Sequence, residues 1–172
     1  MDEMRHDSSI ARWRQMTEAD LPAVESVGRS VHASNPEDLG IYAERLALHP
    51  HGCFVLQGGE RIIGYILSHP WLSGQPPQLN SFLERLPPAP DTFYVHDVAL
   101  LPEARGAGAG SAGVDLLVRQ AVREGFTNLS LVAVNGAAPF WQRHGFRVMD
   151  GAAIRPRLRS YGEAASFMVR IL

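Results

Sequence analysis

A run of alternating small residues, Arg105-Gly106-Ala107-Gly108-Ala109-Gly110, sets the strongest limit on what this chain can fold into. Glycine destabilises the interior of helices and strands but allows positive φ, so such a run favours a tight connection. The apolar stretch from Thr92 to Leu100, ended by Pro102, lies before the run and predicts a strand. Residues 108–124 follow with apolar side chains at helical spacing. The sequence therefore predicts a strand–turn–helix unit in this part of the chain.

The rest of the chain alternates between strand and helix periods. Thr17, with Asp20 three residues later, resembles a capping box and predicts a helix start. Asn35-Pro36 predicts a second helix, with Leu39 among its inward positions. The other predicted strands cover residues 11–16, 53–56, 61–68, 129–134, 146–149 and 166–172, with a short helix at 138–144 and an amphipathic piece at 79–86. This order predicts a three-layer α/β fold around a central mixed sheet, in a single domain of residues 10–172 after a loosely ordered tail, 1–9.

Composition limits the function classes that fit the chain. The formal net charge of −2 argues against a protein built to bind nucleic acid or an anionic membrane surface. The one cysteine, Cys53, excludes an internal disulfide, and His49 and His51 have no further ligand at metal spacing, so no metal site is expected. No apolar stretch approaches the roughly 20 residues of a membrane span. We expect a cytoplasmic protein.

The 105–110 run is suited to a phosphate group. Glycines let the backbone approach a ligand closely, and the following helix offers free N–H groups and the positive end of its dipole. A P-loop is excluded because the chain contains no lysine. A dinucleotide fold would need an acidic residue at a strand end, whereas Glu124 falls at the end of a predicted helix. A small-residue turn without any ligand remains open from the glycines alone.

Two tracts resemble the GNAT superfamily of acyl-CoA-dependent N-acetyltransferases. The tract from Val98 to Ser111 reads VALLPEARGAGAGS and looks like that family's strand, Arg-x-x-Gly-x-Gly turn and helix. A second tract about 25 residues later joins LVAVN, ending at Asn135, to PFWQRHGF, ending at Phe146, and resembles the family's strand-Asn and aromatic-Gly-Phe segment. Both motifs occur at the family's spacing and inside the matching order of elements.

The resemblance implies that acetyl-CoA binds at this strand–turn–helix unit. The backbone of residues 98–100 would pair with the pantetheine amides where the strand separates from its neighbour near Val134. The N–H groups of residues 106–111 would hold the pyrophosphate. The residues expected to contact the cofactor are Val98, Ala99, Leu100, Arg105, Gly106, Ala107, Gly108, Ala109, Gly110, Ser111, Asn135, Phe140 and Arg143.

The implied reaction needs a base, because an alkylamine with a pKa near ~10 is charged at neutral pH. His96 is the candidate, since histidine can exchange a proton near neutral pH, and Tyr94 falls on the same face of the strand by period two. The segment YVHDVAL from Tyr94 resembles the corresponding strand of arylalkylamine N-acetyltransferases, where paired histidines act through water. Asp97 is expected on the opposite face, either bonded to an arginine or the backbone or acting as a rival base.

Trp141 departs from the family's pattern. Many members have tyrosine at this position, and its hydroxyl protonates the leaving thiolate, which an indole cannot do. Tyr161, in the loop expected to cover the site, or Tyr94 is predicted to substitute in part.

The acceptor is expected to be a small molecule with a primary amine. Trp71 and Tyr161 are candidates to stack on it, although Trp71 could equally anchor the long 70–90 excursion. Arg155, Arg157 and Arg159 are interpreted as a solvated face, with an anionic acceptor as the alternative. A protein N-terminal acetyltransferase and a non-catalytic acyl-CoA-binding module are the rival functions, and a homodimer is compatible with the sequence.

Overall fold

In the described residues, 10–172, a computed structural model contains seven strands in one sheet of order β1-β2-β3-β4-β5-β7-β6. The predicted tail, residues 1–9, lies outside the described part of the chain. The elements are β1 (Arg12–Gln15), α1 (Leu21–Val31), α2 (Leu39–Leu48), β2 (Cys53–Gly58), β3 (Arg61–Trp71), β4 (Thr92–Leu100), α3 (Ala109–Arg123), β5 (Asn128–Ala133), α4 (Ala138–Arg143), β6 (Arg147–Val148) and β7 (Ser166–Ile171).

The pair β4 and β5 is parallel, while its neighbouring pairs are antiparallel. The two strands pair only from Phe93 with Leu129 to Val95 with Leu131. Beyond Val95 they separate, so the sheet is splayed at its centre. The edge of β4 that faces β5 therefore has free backbone groups in its second half.

Two apolar cores cover the two faces of the sheet and define three layers. On one face, α1 and α2 pack Val24, Val27 and Leu46 against Tyr65 and Leu67 of β3. On the other face, α3 and α4 enclose a second core, formed by residues such as Val114, Leu117, Phe93, Leu131 and Trp141. The predicted three-layer α/β architecture with a mixed sheet is confirmed.

The start of the first helical segment follows the predicted capping pattern. Residues Glu18–Asp20 form a 3₁₀ turn that leads into α1. The Asp20 carboxylate accepts the backbone N–H of Thr17 at 2.8 Å and pairs with Arg14 at 2.8 Å. The capping box therefore also ties β1 to α1.

The predicted amphipathic piece at 79–86 is wrong, because that segment is an irregular loop. Asn80 and Glu84 have positive φ values of 55° and 66°, which a helix does not allow. The Glu44 carboxylate of α2 accepts the N–H groups of Leu83 and Glu84, at 2.6 and 3.0 Å. Tertiary hydrogen bonds thus replace the helical ones.

The second helix starts later than predicted. It begins at Leu39, after Asp38, and not at Pro36. Leu39, expected to face inward, is 42% exposed, whereas Ile41, Tyr42, Arg45 and Leu46 are buried. Tyr42 and Leu46 therefore form the buried face, while Leu39 lies exposed in the first turn of the helix.

Other boundaries shift slightly. The predicted hairpin is present, but β3 continues to Trp71, three residues further than expected. The loop predicted to cover the site contains a 3₁₀ segment, Arg155–Tyr161. Among residues 10–172, no helix combines the length and apolar character that crossing a bilayer requires.

Candidate active site

A cleft of about 500 Å³ opens where β4 and β5 separate. One end is lined by strand and turn residues of the predicted cofactor side, and the other by the connection between α1 and α2. The lining residues include His32, Ser34, Glu37, Leu79, His96, Asp97, Val98, Arg105, Val134, Asn135, Trp141 and Tyr161. The cleft thus extends from Arg105, at the start of the glycine run, to the predicted acceptor side.

The second half of β4 offers an open backbone edge to the cleft. Val98 pairs with Ile66 of β3 on one side, while pairing with β5 ends at Val95. The Val98 side chain lines the cleft opposite Val134, and Ala99 points into the core on the α1 face. Free N–H and C=O groups along such an edge can bind an extended amide chain.

The glycine turn is shaped for an anion. Gly106 and Gly108 have φ values of 84° and 81°, and a Cβ atom at either would meet nothing within 4 Å. Gly108 caps α3, whose first N–H groups have no partner within the helix. Arg105 lines the cleft and donates from Nε to the Leu100 carbonyl at 3.2 Å. Open space, free donors and a cation meet at this point, which suits a pyrophosphate.

Residues of α4 support the start of α3 from the side. A Cβ at Gly110 would lie 3.2 Å from the Phe140 ring, so glycine permits this close approach. Phe140 also packs on His144, with ring centroids 4.7 Å apart, and His144 Nε2 lies 3.3 Å from the Ser111 hydroxyl. Arg143 is exposed on α4, and Asn135 lines the cleft with a positive φ of 52°.

His96 occupies a β-bulge. β3 pairs Leu67 with Asp97 and the next residue, Ser68, with Val95, so His96 is the extra residue of β4. Its Nε2 lies 2.6 Å from Oε1 of Glu37, and the side chains are 0% and 5% exposed. Nδ1 of His96 is buried and has no hydrogen-bond partner among residues 10–172.

Glu37 is a site residue that the sequence analysis missed. It precedes α2, and its second oxygen accepts the Asn80 N–H at 2.9 Å. Burial opposes its ionisation, but the charge of His96 and their hydrogen bond favour it more, so the pKa of Glu37 lies below its ordinary value. No periodic or motif signal marks this glutamate, since its partner lies 59 residues away in the chain.

Asp97 lines the same cleft as His96, contrary to the prediction that it faces away. The bulge interrupts strict alternation and brings both side chains to the α1 face. Its partners are neither an arginine nor the backbone: Oδ1 lies 2.8 Å from Nε2 of His32, and the Tyr65 hydroxyl donates to Oδ2. Burial raises the pKa of Asp97. The charge of His32, its hydrogen bond and the bond from Tyr65 lower this pKa by more than burial raises it, so it lies below its ordinary value.

His32 is a second residue that the sequence analysis missed. It follows α1 and donates its backbone N–H to Gly28 at 2.8 Å. Burial lowers the pKa of the His32 imidazole, but the charge of Asp97 and their hydrogen bond outweigh it, so the pKa is raised. Two histidine–carboxylate pairs, His96–Glu37 and His32–Asp97, therefore face one cleft.

The predicted tyrosines lie together. Tyr161 lines the cleft, donates to the Pro77 carbonyl at 2.5 Å and lies 3.2 Å from the Tyr94 hydroxyl. Burial raises the pKa of Tyr161 to about 12. Tyr94 is buried behind it and is not among the lining residues of the cleft in the described chain. Trp141 lines the cleft and packs on Phe146, with ring centroids 5.2 Å apart.

The other side chains predicted to contact the acceptor do not line the cleft. Trp71 donates its indole N–H to Gln75 at 2.8 Å and packs edge-on against His69, outside the lining residues. Arg155 pairs with Asp150 at 2.8 Å on the surface. In the described part of the chain, Arg105 is the only arginine that lines the cleft.

The loop between β3 and β4, residues 72–91, closes the acceptor end of the cleft. Leu79 donates its N–H to the Ser160 hydroxyl at 2.9 Å, and Asn80 donates to Glu37 at 2.9 Å. With the bond from Tyr161 to Pro77, this loop is tied both to the α1–α2 connection and to the 155–161 segment. The three segments are therefore held together by hydrogen bonds on this side of the cleft. No group of three or more metal-ligating side chains was found in residues 10–172.

Comparison with known proteins agrees with this geometry. The model of a family described as the acetyltransferase (GNAT) family matches residues 11–146. No curated protein sequence matches the chain.

Solved structures resemble the whole chain at low identity. Ard1 from Thermoplasma volcanium superposes with a TM-score of 0.71 at 15% identity, over 94% of this chain and 97% of that chain. The loading GNATL domain of CurA from Lyngbya majuscula gives 0.75 at 15% identity, over 94% and 98%. Arabidopsis thaliana Naa50, in complex with the bisubstrate analogue CoA-Ac-MVNAL, gives 0.67 at 13% identity, over 94% and 99%. These likenesses establish the fold.

Proposed function

The chain belongs to the GNAT family of acetyltransferases, and from that premise we propose that it transfers the acetyl group of acetyl-CoA to the primary amine of a small molecule. The family makes the chain an acyl-CoA-dependent acyltransferase. The acceptor class rests on one observation: the 72–91 loop is hydrogen-bonded to both neighbouring segments, from which we infer that it leaves no open groove for an extended peptide.

The cofactor side fits acetyl-CoA. The free edge of β4 at residues 98–100 would bind the pantetheine amides, with Asn135 beside them. The turn at Gly106 and Gly108, Arg105 and the start of α3 through Ser111 would hold the pyrophosphate, with Phe140 and Arg143 toward the adenosine end. Acetyl-CoA supplies the activated thioester carbonyl, and the residues at the other end of the cleft act on the amine.

The acceptor end favours a cationic amine. Glu37 and Asp97 supply two carboxylates, and Arg155, Arg157 and Arg159 are not among the described residues that line the cleft. With His32 and His96 neutral, as the base role requires, the two carboxylates leave this end negatively charged, so that it attracts an ammonium group and repels an anionic acceptor. The likeness of the Tyr94 segment to arylalkylamine N-acetyltransferases makes an arylalkylamine the first substrate to test.

His96 is the proposed base, acting with Glu37. The imidazole is closed from solvent, so the proton passes to it from the cleft through the Glu37 carboxylate or a bound water. As the nitrogen attacks the thioester carbon, a C–N bond forms, the C–S bond breaks and the nitrogen gives its proton to this pair. A general base of this kind is worth about 10²–10⁴-fold in rate.

The leaving group needs little help. A thiol with a pKa of about 8.5 leaves as thiolate near neutral pH, so Trp141 in place of a tyrosine is compatible with turnover. Tyr161 is the proposed partial proton donor, and it can act only if its hydroxyl turns from the Pro77 carbonyl toward the cleft.

A panel of primary amines assayed with acetyl-CoA, following release of the free thiol, tests the function. We expect turnover of small amines, arylalkylamines first, and none of peptides with a free N-terminus. Turnover restricted to peptides would identify an N-terminal acetyltransferase and contradict the proposal. Binding of acetyl-CoA without turnover of any amine would instead indicate a non-catalytic module.

His96→Gln tests the base. Glutamine keeps a donor toward Glu37 but cannot exchange a proton, so we expect kcat to fall about 10²-fold with little change in the acceptor KM. His49→Gln is the matched control, because His49 bonds Glu124 at 3.0 Å away from the cleft. Wild-type kcat/KM in His96→Gln across the accessible pH range would remove His96 as the base.

A further inference from the structure

The cleft holds a second histidine–carboxylate pair, to which the acetyl transfer described above assigns no role. His32 and Asp97 are 22% and 12% exposed, whereas His96 and Glu37 are 0% and 5% exposed. The two pairs therefore differ in depth: His32 lies at the mouth of the cleft and His96 is closed within it. A role for His32 in proton transfer rests on the proposed function.

His32 has the arrangement of an oriented base. Because the Asp97 carboxylate accepts at 2.8 Å, the neutral ring carries its proton on Nε2 and keeps a lone pair on Nδ1. In the described part of the chain, no hydrogen bond engages Nδ1. Asp97 is itself fixed by the Tyr65 hydroxyl, which lies 3.3 Å from that of Tyr42. A buried chain of hydrogen bonds thus sets the tautomer of an accessible imidazole.

The reaction needs two proton acceptors. An alkylammonium must lose one proton before its nitrogen can attack, and the nitrogen loses a second as the amide forms. The leaving thiolate takes up only one of the two, so one proton leaves the site for solvent. A buried pair suits the second transfer, beside the thioester. An exposed group suits the first, because it can return its proton to solvent.

We propose that His32, oriented by Asp97, removes the first proton from the arriving ammonium at the mouth of the cleft, and that the deeper His96–Glu37 pair takes the second. The amine N–H bond breaks, the proton binds Nδ1 of His32, and the resulting imidazolium is stabilised by Asp97. His32 then releases the proton to solvent, and the free amine moves inward to the thioester.

The pH dependence follows from the groups that face His32. Asp97 on β4 and Glu37 before α2 are the carboxylates that act on it, and both favour its charged form. The raised pKa keeps His32 protonated to higher pH. The neutral imidazole, which is the base, forms only as the pH rises through that pKa, and the rate with strongly basic amines should increase with it. This rise belongs to the free enzyme and should appear in kcat/KM.

His32→Gln with a matched pair of substrates tests the proposal. The substrates are the best alkylamine of the panel and its β,β-difluoro analogue, which is similar in size but is already largely neutral at the assay pH. We expect kcat/KM of the variant to fall about 10²-fold for the alkylamine and to stay within about threefold of wild type for the fluorinated amine. His49→Gln should leave both values unchanged.

The outcomes separate the two proposals. Equal losses for both amines would overturn the role of His32, because a merely structural residue does not distinguish amine basicity, while wild-type turnover would still support the function. A wild-type enzyme that turns over no amine of the panel would overturn both.

Asp97→Asn provides a readout independent of turnover. Long-range ¹H–¹⁵N correlation spectra assign the tautomer of each imidazole, and we expect His32 to carry its proton on Nε2 in the wild-type protein. The introduced amide can donate to the ring, so the variant should populate the Nδ1–H form and lose activity toward the alkylamine first. A wild-type His32 with its proton on Nδ1 would contradict the proposal.

Discussion

Tyr161 illustrates how a single side chain can serve both the covering loop and the chemistry. Its hydroxyl donates to Pro77 and contacts Tyr94, so it holds the 72–91 loop over the cleft. Within residues 10–172, it is also the only tyrosine that lines the cleft. Loss of the loop contact and loss of a proton donor affect different kinetic constants, which allows the two roles to be separated.

Tyr161→Phe is expected to lower kcat about tenfold, a part of the range that a general acid provides. Loss of the bond to Pro77 should cost about 1 kcal/mol of stability, measurable as a lower Tm. Tyr94→Phe, which removes the other hydroxyl of the pair, is the matched variant. An unchanged kcat in Tyr161→Phe, with only a higher acceptor KM, would leave the tyrosine with the loop-anchoring role alone.

At the scale of elements, α3 and the turn before it form the proposed cofactor side. Gly108 caps the N-terminus of α3 with φ 81°, and Gly125 follows its C-terminus with φ 84°. Neither would bring a Cβ within 4 Å of another group. The two glycines therefore have the same backbone conformation at opposite ends of one helix, but only the first belongs to the turn that follows β4.

Gly108→Ala and Gly125→Ala should each cost about 1–2 kcal/mol of stability, because L-residues are strained at this φ. Only Gly108→Ala is expected to weaken binding of coenzyme A, since Gly108 alone of the two lies in the turn proposed to hold the pyrophosphate. Calorimetric titration with coenzyme A and thermal unfolding measure the two effects. Equal affinities in the two variants would show that the turn does not hold the pyrophosphate.

At the scale of the whole molecule, three segments far apart in the chain meet over the cleft. The α1–α2 connection provides His32 and Glu37, the 72–91 loop bonds to Glu37, and the 155–161 segment bonds to the loop through Ser160. The splay of β4 and β5 supplies the floor. The proposed acceptor site is therefore a property of the assembled fold, and changes in any one of the three segments should alter acceptor choice before cofactor binding.

Periodicity and local motifs determined much of the architecture. The strand predicted at Thr92–Leu100 has the observed bounds, and the glycine turn, the capping box and the hairpin at Gly59 form as their sequences indicate. These features depend on residues within a few positions of each other, where spacing alone reports which side chains share a face. The fold class and the position of the glycine turn follow from the sequence for this reason.

Tertiary packing decided the chemistry of the acceptor end. His96 and Glu37 are 59 residues apart, and His32 and Asp97 are 65 residues apart, so no local pattern links them. A bulge at His96 turned Asp97 to the same face, against strict alternation, because β3 offers one residue fewer than β4 at that point. In the same way, Glu44 of α2 accepts the backbone N–H groups of Leu83 and Glu84 in the irregular 79–86 segment, a contact that local spacing does not indicate. Local sequence fixes which residues can form an element, and long-range hydrogen bonding fixes which charged groups meet.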